Sequence, residues 1–290
     1  MKERLQGIGA LLLTTCIWGT AFVAQSVGME HVGPFTFQAA RCILAVISLV
    51  VLVFLFDRKK FISGWKDKKL WGAGFLCGVA LFFATSLQQV GLVYTDAGKA
   101  GFLTAMYIVL VPLLGFFFGK RPSKMALFSV IPAVAGLYLL SCVGVSGLEV
   151  GDLYLIGCAV CFSFQIILVD RSAGDVDPLR LNCVQSLVCA VGSVVFAFTE
   201  PFSLGHLMDC SGAIAYAGIL SLGVAYSLQI VGQKRLEPTT ASLIMSLESV
   251  FAVLGGWLIL GERMELWELA GCGLLLAAVI VAQLPDKKMK

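Results

Sequence analysis

Two ionisable residues stand where charge is costly. Glu248 is the tenth residue of an apolar run over 239 to 260, and Arg41 is the ninth of a run over 33 to 56. Ionisable side chains inside a bilayer face a cavity or a partner, and mark functional positions by default. At ~1.5 Å of rise per residue, Glu248 lies ~13 Å in from one end of its helix and Arg41 ~12 Å in from the opposite end of its own. In a hydrocarbon core ~30 Å thick their depths therefore differ by about 4 Å. Two chemistries fit that depth. The two groups could pair and fix one arrangement of the surrounding helices, or each could meet one end of a zwitterionic ligand, carboxylate on Arg41 and amine on Glu248. A carboxyl in this setting can also carry a proton, so Glu248 is expected to be a proton carrier.

Helical spacing selects their neighbours, because residues three, four and seven apart share a face. Gln38 lies one turn from Arg41, and Thr104, Tyr107 and Val111 form a stripe in which Tyr107 can offer a hydroxyl. Trp18 and Gln165 occupy comparable depths in their segments, and Trp18 is too deep for an interfacial belt. The candidate substrate-binding set is thus Trp18, Gln38, Arg41, Thr104, Tyr107, Gln165 and Glu248. Gln88, Gln89, Gln185 and Gln229 are expected to bond between helices, and Lys99, near a helix end, to snorkel or guard a mouth. His31 and His206 fall in connections without metal-ligand company, so no metal site is expected. The chain has no G-x-x-x-x-G-K-[ST], no H-E-x-x-H and no Gly-rich strand-turn-helix fingerprint, which excludes an ATP-driven pump and leaves no expected catalytic residue or cofactor.

The elements that hold these residues are long apolar helices. Of 290 residues 59% are hydrophobic and 13% charged, against roughly 45–50% and about 25% in soluble globular chains. Ten apolar segments can be read: 5 to 27, 33 to 56, 70 to 92, 97 to 118, 125 to 144, 151 to 169, 178 to 199, 211 to 231, 239 to 260 and 266 to 284. A net charge of +3 supplies no stripe for nucleic acid. Counted by connection, 18 of the 21 Lys and Arg fall on one side, including Arg58 to Lys69, Lys120, Arg121, Lys124, Lys234, Arg235, Lys287, Lys288 and Lys290. The positive-inside rule then predicts that both termini are cytoplasmic. The ten cysteines sit mostly inside apolar segments and are expected to pack; Cys158 and Cys161 form an isolated C-x-x-C, and Cys210 is expected near the outer surface. Small residues four apart, as in Gly101 and Ala105 or Ala252 and Gly256, let helices approach closely. Pro112 and Pro132 are candidate flexure points.

The chain also repeats itself. Gly7, Trp18, Pro34 and Arg41 align with Gly151, Phe162, Pro178 and Gln185 at a spacing of 144, and Ala97, Thr104 and Gly119 with Thr239, Ser246 and Gly261 at 142. Each half, 5–144 and 151–284, therefore holds five helices, and an odd number turns the second half upside down. Inverted repeats of this kind carry binding sites near the midplane in secondary transporters.

At these residues the chain resembles the EamA-like branch of the drug/metabolite transporter superfamily. Trp18 to Phe22, Pro34 to Arg41 (PFTFQAAR), Thr95 to Pro112 (TDAGKAGFLTAMYIVLVP), Leu247 to Phe251 and Leu260-Gly261-Glu262-Arg263 carry the resemblance. Lys120 departs from it, because the first repeat often has a Glu there matching Glu262. The resemblance implies a basket of helices around a central cavity that moves metabolites such as amino acids, often outward, in a bacterial inner membrane. The expectation is an all-α integral membrane protein of ten helices in two inverted five-helix repeats, with a small-molecule substrate and protein partners left open. A scaffold without transport is the alternative, though its minimal loops offer a partner little surface.

Overall fold

The computed structural model describes residues 2–95, 97–119, 121–141, 143, 149–255, 257 and 265–284. Lys120, Gly256, Leu260 to Arg263, Lys287, Lys288 and Lys290, all named above, lie outside the described residues. Among the described residues the regular structure is all helical, with no strand. Its helices are α1 (Lys2–Met29), α2 (Pro34–Phe56), α3 (Lys68–Tyr94), α4 (Ala97–Ala105), α5 (Tyr107–Phe117), α6 (Lys124–Ser141), α7 (Val150–Ser172) and α8 (Pro178–Ala197). After a short α9 (Leu204–Asp209) come α10 (Ser211–Ala215), a π-helical stretch over Tyr216–Ala225, α11 (Tyr226–Gln233), α12 (Pro238–Met245), α13 (Glu248–Gly255) and α14 (Leu266–Ala282). Seven helical spans are long and apolar enough to cross a membrane: Lys2–Met29, Pro34–Phe56, Lys68–Tyr94, Lys99–Phe117, Val150–Ser172, Pro178–Ala197 and Ser211–Gln233. Shorter apolar helices cover Lys124–Leu140, Pro238–Leu254 and Leu266–Ala282. The chain is a multi-pass membrane protein.

Local sequence explains the helix starts. Proline opens α2, α8 and α12, where its missing N–H would have had no helical partner. Reciprocal Glu149–Asp152 and Glu265–Glu268 capping boxes open α7 and α14. Gly119, with φ 77°, takes the left-handed position just past α5 that other residues rarely adopt.

The radial pattern inverts that of a soluble protein. Ile47, Phe75, Phe128, Ile131, Val191 and Ile280 are exposed, while Gln25, Gln38, Gln89, Gln165, Gln185, Gln229 and Gln233 are buried. Apolar side chains lose nothing by facing lipid, whereas polar ones must find partners inside. Helix α2 packs on α8, α3 on α7 and α8, α6 on α14, and α1 on α11 and α13. The α6–α14 crossing has no room for side chains at its closest point, since a Cβ on Gly136 would lie 2.8 Å from the Gly271 carbonyl oxygen. At Gly19 a Cβ would lie 2.6 Å from the Glu248 carbonyl oxygen, so α1 rests directly on the start of α13. Arg4 donates to the backbone oxygen and Oε1 of Gln283 at 2.9 and 3.0 Å, joining the first helix to the last.

Three spans depart from regular α geometry where the sequence reads as continuous apolar helix. Between α4 and α5 the chain tightens at Met106, with Val109 N bonding to Met106 O at 3.0 Å. Between α12 and α13 it tightens at Ser246 and Leu247, with Ser249 N bonding to Ser246 O at 3.2 Å. In the π stretch the widened turn leaves carbonyls that side chains take up. Trp18 Nε1 donates to Ser221 O at 3.4 Å, Asn182 Nδ2 to Leu222 O and Gly223 O at 2.8 and 2.9 Å, and Thr14 Oγ1 to Ala225 O at 3.1 Å. Interruptions of this type gather at functional sites.

Candidate functional site

All three irregular spans border one cavity. Tyr107 is the first residue of α5 and Glu248 the first of α13, so each tightened turn delivers a side chain to the same space. The cavity has ≈ 40 Å³ open to the centres of water-sized molecules, enough for a few waters or a small ligand's polar atoms. Trp18, Arg41, Thr104, Tyr107 and Glu248, five of the seven residues selected from sequence, line it. Its polar lining comprises Gln25, Gln88 and Gln229 with Arg41, Tyr107 and Glu248, and its apolar lining Phe22, Phe162, Ile166, Leu222 and Met245. The Trp18 and Tyr226 rings, 4.7 Å apart at their centroids and tilted by 57°, line it too.

The two charged residues do not meet. Among the described residues no carboxylate oxygen lies within 4.0 Å of the Arg41 guanidinium. Arg41 Nη1 donates to Gln25 Oε1 at 2.6 Å and Nη2 to Gln38 Oε1 at 2.9 Å, while its Nε, though buried, has no partner. Phe37 lies 5.8 Å from the guanidinium carbon. Glu248 Oε1 accepts one hydrogen bond, from the Tyr107 hydroxyl at 3.2 Å, and has no cation partner among the described residues. Of the two chemistries open for this couple, direct pairing is absent. A guanidinium held by neutral amides and a carboxyl held by a phenol thus face the same space.

Gln38 and Gln165 stand behind the wall rather than in it. Gln38 is fully buried; it accepts from Arg41 and donates to Thr85 Oγ1 at 2.7 Å and Ser86 Oγ at 3.2 Å, so it orients the guanidinium. Gln165 accepts from Gln229 Nε2 at 3.2 Å and donates to Gln185 Oε1 at 3.3 Å. Gln89 and Arg41 share the Oε1 of Gln25. Sequence reading passed over Gln25 and Tyr226. The signal for Gln25 was its place seven residues after Trp18, on the same helical face.

Lys99 does not snorkel: it is buried and its ammonium lies 2.7 Å from Asp152 Oδ2. Cys210, between α9 and α10, is 3% exposed in a small cluster with Val32, Phe37, Ile214 and Ala217. Among the described residues no group of three or more His, Cys, Asp or Glu could hold a metal ion.

Comparison with known proteins gives a consistent result. The EamA-like transporter family profile matches residues 5–142 and again 149–283. An uncharacterised transporter of Archaeoglobus fulgidus is 31% identical over 285 residues, covering 97% of this chain and 87% of the relative. The threonine/homoserine exporter RhtA of Escherichia coli K12 is 27% identical over 286 residues, covering 96% of this chain and 91% of its own. A protein of known crystal structure shares the fold with a TM-score of 0.79 at 20% identity, over 97% of this chain and 96% of that one.

Proposed function

The chain belongs to the EamA-like transporter family, and from that premise we propose that it is a secondary transporter that exports a small zwitterionic metabolite such as an amino acid. The observation that carries this reading is the pair of unmatched ends on one cavity: Arg41 without a carboxylate and Glu248 without a cation. A substrate carboxylate fits the guanidinium, including the unpartnered Nε, and its ammonium fits Glu248. The apolar lining residues Phe162, Leu222 and Met245 take the side chain. The name of the Escherichia coli relative, a threonine/homoserine exporter, supports a small amino acid.

The mechanism is alternating access between the halves 5–144 and 151–284, each of five membrane crossings and inverted relative to the other, with both termini cytoplasmic in a bacterial inner membrane. The double family match and the pairing of α2 with α8 and α6 with α14 support that organisation. Glu248 binds either the ammonium or a proton, so occupancy by one excludes the other and links the two fluxes. Energy then comes from an ion gradient.

Thermal unfolding of purified protein against a panel of amino acids, wild type beside Glu248→Gln, tests the reading. A ligand that binds the folded state raises its apparent stability by mass action. A shift in the wild type that is lost in the variant, together with uptake of the same labelled amino acid into protein-containing liposomes, is the expected result. Absence of both shift and uptake across the panel would overturn it.

A further inference from the structure

A second cavity of ≈ 340 Å³ opens at the end of the bundle that carries Arg121, Lys234 and Arg235. It is stacked on the central cavity along the same helices. On α5 Tyr107 faces the central cavity and Val111 the second; on α7 the corresponding residues are Ile166 and Asp170; on α11 they are Gln229 and Gln233. Each pair is four residues apart, so on three helices a single turn, ~5.4 Å along the axis, separates the two spaces.

Within that turn α11 presents two amide oxygens in series. Gln229 and Gln233 are 1% and 2% exposed. Helix α7 engages the nitrogen of each: Gln229 Nε2 donates to Gln165 Oε1 at 3.2 Å, and Gln233 Nε2 donates to the Ile166 carbonyl at 2.9 Å. With their nitrogens held, the Oε1 atoms of both side chains are left buried and without a partner. Leaving such an acceptor unmet is costly, and one such group on each side of a one-turn barrier calls for a ligand that visits both.

We propose that Gln233 and Gln229 form a relay for the substrate's ammonium: Gln233 Oε1 receives its N–H donors in the second cavity, at the basic end of the bundle, and Gln229 Oε1 passes them to Glu248. The inference rests on the amine-binding reading of the central cavity. Gln233 is a transient binding residue on the path, outside the central site, so it governs the rate of passage and leaves equilibrium binding in that site alone. The class of substrate is one whose leading group is a primary ammonium, which donates in every direction and can be handed between neutral acceptors.

Liposome flux and ligand-induced thermal shift of the same labelled amino acid, measured on wild type, Gln233→Met and Gln233→Glu, test this. Met keeps the volume but removes the acceptor, whereas an ionised Glu keeps acceptor oxygens and loses the donor to Ile166. The expected result is a maximal flux about tenfold lower in Gln233→Met, the equivalent of ~1.4 kcal/mol of barrier, with an unchanged thermal shift and with Gln233→Glu near wild type. Equal losses in both variants would mean that the tie to Ile166 alone matters, and unchanged flux in Gln233→Met would mean that Oε1 has no role; either overturns the relay while wild-type flux stands. Wild type with neither shift nor flux instead removes the parent reading, and the relay with it.

Discussion

Buried cations are treated in two ways in this molecule. Near the end of the bundle where α3 gives way to α4, Lys99 lies 2.7 Å from Asp152, whose other contacts are Glu149 N at 2.9 Å and Thr95 Oγ1 at 3.5 Å. At the opposite end Arg180 lies 2.9 Å from Asp57 and 3.5 Å from Asp177, and donates to the Lys60 carbonyl at 3.0 Å. In the central cavity Arg41, just as buried, has only amide oxygens. A charge that serves the fold comes with its counter-charge in the same chain, because a buried ion left alone is expensive. Arg41 and Glu248 share a cavity, and neither has a counter-charge in ion-pair contact among the described residues. On the proposed reading, that difference separates ions that serve the fold from those that serve the substrate.

Four substitutions test that division, from the largest effect to the smallest. Asp152→Asn removes the carboxylate held 2.7 Å from the Lys99 ammonium and is expected to lower stability by about 3 kcal/mol, seen as a fall in unfolding temperature; replacing Lys99 and Asp152 together by Met and Leu should recover most of it. Glu248→Gln strands no cation, so stability should hold while flux of the zwitterion drops about a hundredfold, or ~2.7 kcal/mol. If its unfolding temperature falls as far as that of Asp152→Asn, Glu248 belongs with the structural ions. Arg41→Lys retains the charge but loses the fork that matches a carboxylate. Substrate affinity should weaken about tenfold, ~1.4 kcal/mol, with little change in the unfolding temperature. Asp57→Asn removes one of two acids from Arg180 at a 37% exposed position, where an ion pair contributes at most ~1 kcal/mol, and should leave flux unaltered.

Much of this was legible in the sequence, and the parts that were not share a cause. Long apolar runs opened by Pro34, Pro178 and Pro238 mark helices because composition and a missing N–H act locally. Glu248, Arg41, Tyr107 and Trp18 stand out because depth along a helix can be counted residue by residue, and the cavity brings them together. Rotation about a helix axis cannot be counted so, which is why the same depths left open whether Arg41 and Glu248 would touch. Asp152 escaped notice because an acid at the second position of the expected segment 151 to 169 reads as a helix-start residue. It is one, in the capping box with Glu149, and it also holds Lys99 across from α4. No proline marks the tight turns at Met106 and Ser246 or the π stretch, and in the last of these Trp18, Asn182 and Thr14 take up the backbone carbonyls from other helices.

That winding makes chain length a control on the cavity. Tyr226 and Gln229 line it from just beyond the π stretch over Tyr216–Ala225. In an α-helix one residue corresponds to about 100° around the axis, so the residue count through this stretch sets which side chains face inward. Deleting a single residue there would swing Tyr226 away from Trp18 and Gln229 away from Gln165 without altering the chemistry of either. A change of one in its length would thus redraw the wall.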